Sequence, residues 1–199
     1  MREIAAILFN DFETLDVFGP IEILGRLKDH FNIQLYSQNG GVVTSSQNVP
    51  VVTKPLSGIS SSDYILFIPG GYGVRELLKD EIFIDQLKSP AYRAKFILTV
   101  CTGSILLSKT GLLDRRDATS NKRLFQWALK ESPEVFWVKK ARWIKDGKIY
   151  TSSGISAGMD MTFGFITDLL GYDIAKQQSI EIEYQWKEDS TDDPFSEMY

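Results

Sequence analysis

In 199 residues the sequence holds one cysteine, Cys101, and one histidine, His30. A lone cysteine forms no internal disulfide, which fits a reducing cytoplasm. A Cys–His pair of the protease kind would have to use His30. That residue lies in Lys28-Asp29-His30-Phe31-Asn32, between the first expected helix and the second expected strand, at the end where strands begin. Catalytic groups of open α/β sheets gather at the other end. The same scarcity of sulfur and imidazole leaves a metal centre without good ligands. Positive charge is sparse too: 22 Lys and Arg stand against 26 Asp and Glu, a formal charge of −4, with no basic cluster longer than Arg115-Arg116 and Lys139-Lys140. A nucleic-acid surface needs a basic stripe, so that partner class is excluded. No apolar run approaches the length that spans a bilayer, and the N-terminal Ile4–Phe9 is too short for a signal peptide. The expected partner is a small molecule, bound without cofactor or metal.

Apolar residues make up 43% and charged residues 24%, an ordinary balance for one globular domain with one core. Short apolar runs, Ile4–Phe9, Ile33–Ser37, Tyr64–Ile68 and Phe96–Val100, alternate with helical stretches such as Val17–Leu27, Val74–Lys79 and Ile82–Lys88. Gly40-Gly41 marks a turn into Val42–Thr44, and Val49–Thr53 reads as an edge piece. Asp146-Gly147 joins Ala141–Ile144 to Lys148–Ser152 as a hairpin. Ala157–Leu170 and Ile174–Trp186 read as the last two helices. Continuous apolar strands separated by helices predict a doubly wound, mostly parallel, flavodoxin-like α/β sandwich spanning 1–199 as a single domain. The acidic stretch after about Lys187 is expected to be a surface extension.

Within that frame, Thr99-Val100-Cys101-Thr102-Gly103-Ser104 passes from strand to helix at the thiol itself. This is the cysteine counterpart of a serine nucleophile elbow. Unpaired N–H groups at a helix start favour thiolate, which predicts a lowered pKa; a buried, inert cysteine is the plainer reading. Asp16, after the first strand, is either a helix N-cap or an acid facing the same cleft. Gly70 and Gly71 follow another strand and, with the Thr102 N–H, could cradle developing negative charge. Ser156 begins the helix after the hairpin, and either caps it or lines the pocket.

These elements together resemble the ThiJ/PfpI superfamily, the class I glutamine-amidotransferase-like α/β proteins with a cysteine elbow, from Ile4 to about Phe195. Within it the likeness is to isonitrile (isocyanide) hydratases. It is carried by Leu15-Asp16 with Gly19-Pro20, Ile68-Pro69-Gly70-Gly71, Val100-Cys101-Thr102-Gly103-Ser104, Gly111-Leu112-Leu113, Ala118-Thr119 and Ser156-Ala157-Gly158-Met159-Asp160, with Gln178, Ile182-Glu183-Tyr184 and Pro194-Phe195 behind them. The resemblance implies a homodimer, Cys101 as nucleophile, Asp16 as its acidic partner, and hydration of an isonitrile to an N-formamide. Many relatives carry a histidine shortly after the Ala-Thr pair. Here Ser120-Asn121-Lys122 stands in its place, which argues against amidase or protease chemistry and leaves open whether Asn121 or Ser153 takes over part of that role. The same motifs occur in ligand-sensing domains of AraC-type regulators, but a chain of this length filled by this fold is not expected to hold their helix-turn-helix region.

Two other readings fit the residues: a stress or redox protein with an oxidisable Cys101, and a glyoxalase- or amidase-like enzyme on the same scaffold. Asp16 with its Gly-Pro helix favours the hydratase.

Overall fold

The computed structural model describes residues 1–199 and gathers the apolar runs into one eight-stranded sheet. Its strands are β1 (Arg2–Ile7), β2 (Phe31–Ser37), β3 (Asn39–Thr44), β4 (Pro50–Pro55), β5 (Tyr64–Ile68), β6 (Phe96–Thr99), β9 (Trp143–Asp146) and β10 (Ile149–Ser152). A separate pair, β7 (Asp117–Ala118) and β8 (Phe136–Trp137), makes a small second ladder. The order across the large sheet is β3-β4-β2-β1-β5-β6-β10-β9. The pairs from β4 to β10 are parallel, and only the outer pairs, β3 with β4 and β9 with β10, are antiparallel. The helices are α1 (Thr14–Arg26), α2 (Val74–Leu77), α3 (Glu81–Arg93), α4 (Gly103–Ser108), α5 (Phe125–Glu131), α6 (Ala157–Leu170) and α7 (Tyr172–Glu181). None is long and apolar enough to cross a membrane.

Strands β1 and β5 read as unbroken apolar runs because helices cover both faces of the sheet. Residues 4 to 8 and 64 to 68 have no exposed surface. Each large side chain so buried contributes about 1.5–3 kcal/mol. Helices α1, α6 and α7 pack together, as does α2 with α3 and α4. Gly19 sits where α1 meets α6: a Cβ there would lie 2.9 Å from the Met159 side chain, which explains a helix-weakening residue in mid-helix.

Several boundaries differ from expectation. Helix α1 begins at Thr14, with Glu13 rather than Asp16 at its N-cap. Val49–Thr53 is not an edge: β4 lies inside β3, whose Val42 and Val52 pairing leaves both side chains exposed. Helix α7 stops at Glu181 rather than Trp186, and the left-handed Glu183 (φ 53°) turns the chain away. The acidic tail lies mostly at the surface but is anchored at Ser190 and Asp193. Ser190 O accepts from the Arg142 N–H at 2.8 Å, and Asp193 is buried between Lys122 and Arg142. Of its acids only Asp193 is buried, and two buried cations face it.

Candidate active site

Strand β6 ends at Thr99, and the chain reverses at Cys101, which adopts φ +57° before α4 starts. A non-glycine residue in that region costs of order 1–3 kcal/mol and persists only where its surroundings fix it. Here they do. The Cys101 N–H donates to Ser153 O (3.2 Å), while its carbonyl accepts from the Ser104 and Ser120 hydroxyls at 3.0 Å each. The turn fits against the end of β5 because no side chain intervenes. A Cβ on Gly103 would lie 2.3 Å from Ile68 O, and one on Gly70 would lie 2.6 Å from Thr102 N.

Cys101 is only 6% exposed and its sulfur is ringed by donors. Asn121 Nδ2 donates to Sγ at 3.1 Å, and the Thr102 N–H and hydroxyl lie close enough to hold the thiol's pKa down. The Asn121 amide cannot turn over freely, since its Oδ1 accepts from the Leu124 N–H at 3.2 Å, so its NH₂ faces the sulfur. Asp16, in the first turn of α1, is fully buried. Its Oδ2 accepts from the Gly70 N–H at 2.9 Å, and its Oδ1 has no hydrogen-bond partner. The N-cap reading of Asp16 is thereby replaced by a buried carboxyl bonded to the Gly70 N–H, beneath the pocket rather than in its lining.

Burial holds the Asp16 carboxyl well above the usual carboxylate range; the Gly70 N–H opposes this, the Glu13 charge adds to it, and the nearby Cys101 thiol opposes it. Burial likewise pushes the Cys101 thiol up, and the Asp16 charge pushes it further, against the bonds from Asn121 and Thr102. Both shifts run toward the protonated form of the group concerned. The shift runs opposite to the expected low-pKa thiolate: α4 has six residues and supplies a weak dipole, whereas loss of water and a neighbouring acid act directly on the sulfur.

The expected cradle also changes. The Gly70 N–H is committed to Asp16 and the Gly71 N–H donates to Thr102 Oγ1 at 3.2 Å, so Thr102 and Asn121 are the donors left facing the sulfur. Ser156 does not line the cleft; its hydroxyl accepts from Arg142 Nη2 at 3.3 Å, and the neighbouring Ile155 faces the pocket instead. Ser153 acts through its backbone, accepting from Cys101. His30 immediately precedes β2, at the opposite end of the parallel strands from Cys101. The pocket over the sulfur has a volume of about 250 Å³, with Leu124, Trp127 and Ile155 as apolar wall and Glu13, Arg75 and Arg123 as its charged side chains.

Asn121 was not singled out as a site residue by its own chemistry; its signal was the position where relatives carry histidine. The residue beside it, Lys122, is buried. Its ammonium donates to Thr119 Oγ1 (2.6 Å) and Ala141 O (2.7 Å) and lies 3.8 Å from Asp193 of the tail. Burial lowers its pKa to about 8, with Asp193 opposing. Arg142, which contacts the same aspartate at 3.8 Å, bonds Asp160 at 2.6 Å and accepts the Ser153 N–H on its carbonyl. The tail thus braces both Asn121 and the segment that pins Cys101.

The DJ-1/PfpI family model matches residues 2–168. An isonitrile hydratase of Pseudomonas putida is 32% identical over 186 residues, covering 92% of this chain and 78% of that protein. The transcriptional regulator GlxA of Rhizobium meliloti is 28% identical over 153 residues, 75% of this chain but 46% of the regulator. Among solved structures, a ThiJ/PfpI family protein from Pseudomonas syringae superposes with a TM-score of 0.80 at 26% identity, covering 98% of this chain and 77% of that one.

Proposed function

The chain belongs to the DJ-1/PfpI family, and from that premise we propose that it hydrates a small isonitrile to an N-substituted formamide, with Cys101 as nucleophile and Asp16 as acid–base partner. The observation that carries this reading is a buried thiol with a buried carboxyl beside it, each shifted by burial toward its protonated form, and an amide rather than an imidazole as the third group. An isonitrile carbon needs a proton and a nucleophile together. Asp16 delivers a proton to that carbon as sulfur bonds to it, and regains one from the thiol, so that S–H adds across the carbon to give a thioimidate, R–N=CH–S–Cys101. Water adds to the C=N bond, and the tetrahedral adduct expels the sulfur, leaving R–NH–CHO and Cys101 thiol. Thr102 N–H and Asn121 Nδ2 donate to the sulfur as its charge develops. This sequence of steps uses no cofactor.

The Pseudomonas putida hydratase supports the substrate class, and the missing histidine disfavours the amidase alternative. A redox sensor is served better by an accessible thiolate than by this buried thiol. We place the protein as a cytoplasmic homodimer, on the resemblance and on its single cysteine; sedimentation of the purified chain checks the dimer. The function is tested by supplying cyclohexyl isonitrile and measuring N-cyclohexylformamide, with Cys101→Ala as background and casein as protease control. Formamide no higher than the background from neutral and anionic isonitriles alike refutes the hydratase, and casein cleavage refutes the argument from the missing histidine.

A further inference from the structure

The charged side chains around the Cys101 pocket are out of keeping with the chain. The protein carries −4 overall, yet the pocket is lined by Arg75 and Arg123 against a single acid, Glu13. The acids near these arginines are engaged elsewhere: Glu13 accepts from Gln47 Nε2 (3.0 Å), Glu76 pairs with Lys79 (2.8 Å), and Glu131 pairs with Lys109 (3.1 Å). The Arg75 guanidinium lies 4.6 Å from the centre of the Trp127 ring, and that indole is itself held by its N–H donating to Glu131 Oε1 at 3.1 Å. Stacking orients a guanidinium while leaving its in-plane N–H donors uncommitted. Both arginines ride on elements that build the site. Arg75 is in α2, just after Gly71, and Arg123 is two residues beyond Asn121.

We propose that the substrate taken by Cys101 carries a carboxylate, and that Arg75 and Arg123 hold it while the apolar wall receives the rest of the molecule. The inference rests on the reading of this cleft as the catalytic one and narrows it to anionic isonitriles of the α-isocyano carboxylate kind. Two planar donor forks suit a carboxylate, and a field of this sign at the mouth of a cleft raises the local concentration of anions.

A direct test uses the single thiol. Iodoacetate and iodoacetamide both alkylate Cys101, the thiolate displacing iodide as its proton passes to buffer, and they differ in one negative charge. The ratio of their rates is measured at one pH for the wild type, Arg75→Gln, Arg123→Gln and the Lys variants, with 2-mercaptoethanol as the free-thiol reference. Wild type should favour iodoacetate over that reference by about tenfold or more, each Gln variant should lose most of the preference, and Lys should restore part of it. In parallel, kcat/KM is compared for isocyanoacetate and its neutral methyl ester. A wild-type alkylation ratio equal to the reference, or one unmoved in the Gln variants, overturns the carboxylate site, even if the ester is hydrated. An arginine-dependent ratio without turnover of either isonitrile leaves the carboxylate site standing and removes the hydratase reading instead.

Discussion

Gly154→Ala separates the contribution of Asn121 from the stability of the fold. Gly154 does not use the left-handed backbone region, so alanine suits the local conformation, but its Cβ would sit 2.0 Å from Asn121 Nδ2 and 3.3 Å from Cys101 Sγ. Ordinary contact begins near 3.4 Å, so the amide must retreat by about 1.4 Å, out of the space beside the sulfur. The retreat breaks the 3.1 Å bond to Sγ and strains the bond from Leu124 N–H. Loss of that cap costs about 1 kcal/mol, while replacing glycine restricts the unfolded chain and returns about 0.4–1 kcal/mol. The two nearly offset, so urea denaturation should place the variant within about 1 kcal/mol of wild type.

Turnover should respond differently. Removing one preorganised donor from a site of developing charge lowers kcat by about 10²–10³. Because the Asn121 bond holds the Cys101 pKa down, its loss should also move the pH profile of iodoacetamide labelling upward. Asn121→Ala should reproduce both effects, and the double variant should add little, since both changes remove one interaction. A Gly154→Ala protein with wild-type kcat and an unmoved labelling profile would refute the role given to Asn121.

Iodoacetamide labelling of the wild type should reach half-maximal rate above the free-thiol value of about 8.5, and a midpoint below it would contradict the burial argument. Asp16→Asn should lower kcat by about 10²–10⁴ while keeping the Gly70 bond, and shift that labelling midpoint downward by removing the acid beside the thiol. The folded protein binds the Asp16 proton more tightly than the unfolded chain, so the Asp16 contribution to stability declines as pH rises past the ordinary carboxylate range. Asp16→Asn should remove that component of the slope, and denaturation between pH 4 and 8 with an unchanged slope would contradict it. Asp193→Ala strips the tail's partner from Lys122 and Arg142 and should cost about 3 kcal/mol, read by urea denaturation. A loss below about 0.5 kcal/mol would mean that the tail does not brace the site.

The sequence made the sheet legible because its central strands are buried on both faces and so read as unbroken apolar runs. The helix α6 was legible to the residue, bounded by Ser156 before it and Gly171 after it. The segment from 112 to 140 was not: β7 and β8 have two residues each, too short for any period, and α5 lies between them. Ser156 misled for another reason. Its small size suits a pocket lining, but the guanidinium that takes its hydroxyl comes from Arg142 across the hairpin, and no local pattern encodes that contact. The tail's anchor was hidden likewise, since nothing local marks Asp193 as the acid that faces Lys122 and Arg142.

The direction of the Cys101 shift, upward where the helix start alone predicts downward, has the same origin and bears on mechanism. A strand-to-helix turn is visible in the sequence, and the dipole argument follows from it. The groups that govern the thiol come from 85 residues upstream and 20 downstream, Asp16 from α1 and Asn121 from the turn before α5. Burial with Asp16 overrides a dipole from six residues. A standing thiolate is what hydrolysis of an amide or capture of an oxidant requires. A protonated pair suits a substrate whose single carbon must receive a hydrogen and a sulfur in one addition. The upward direction of both shifts therefore supports the hydratase reading, since addition of S–H to an isonitrile carbon consumes one proton.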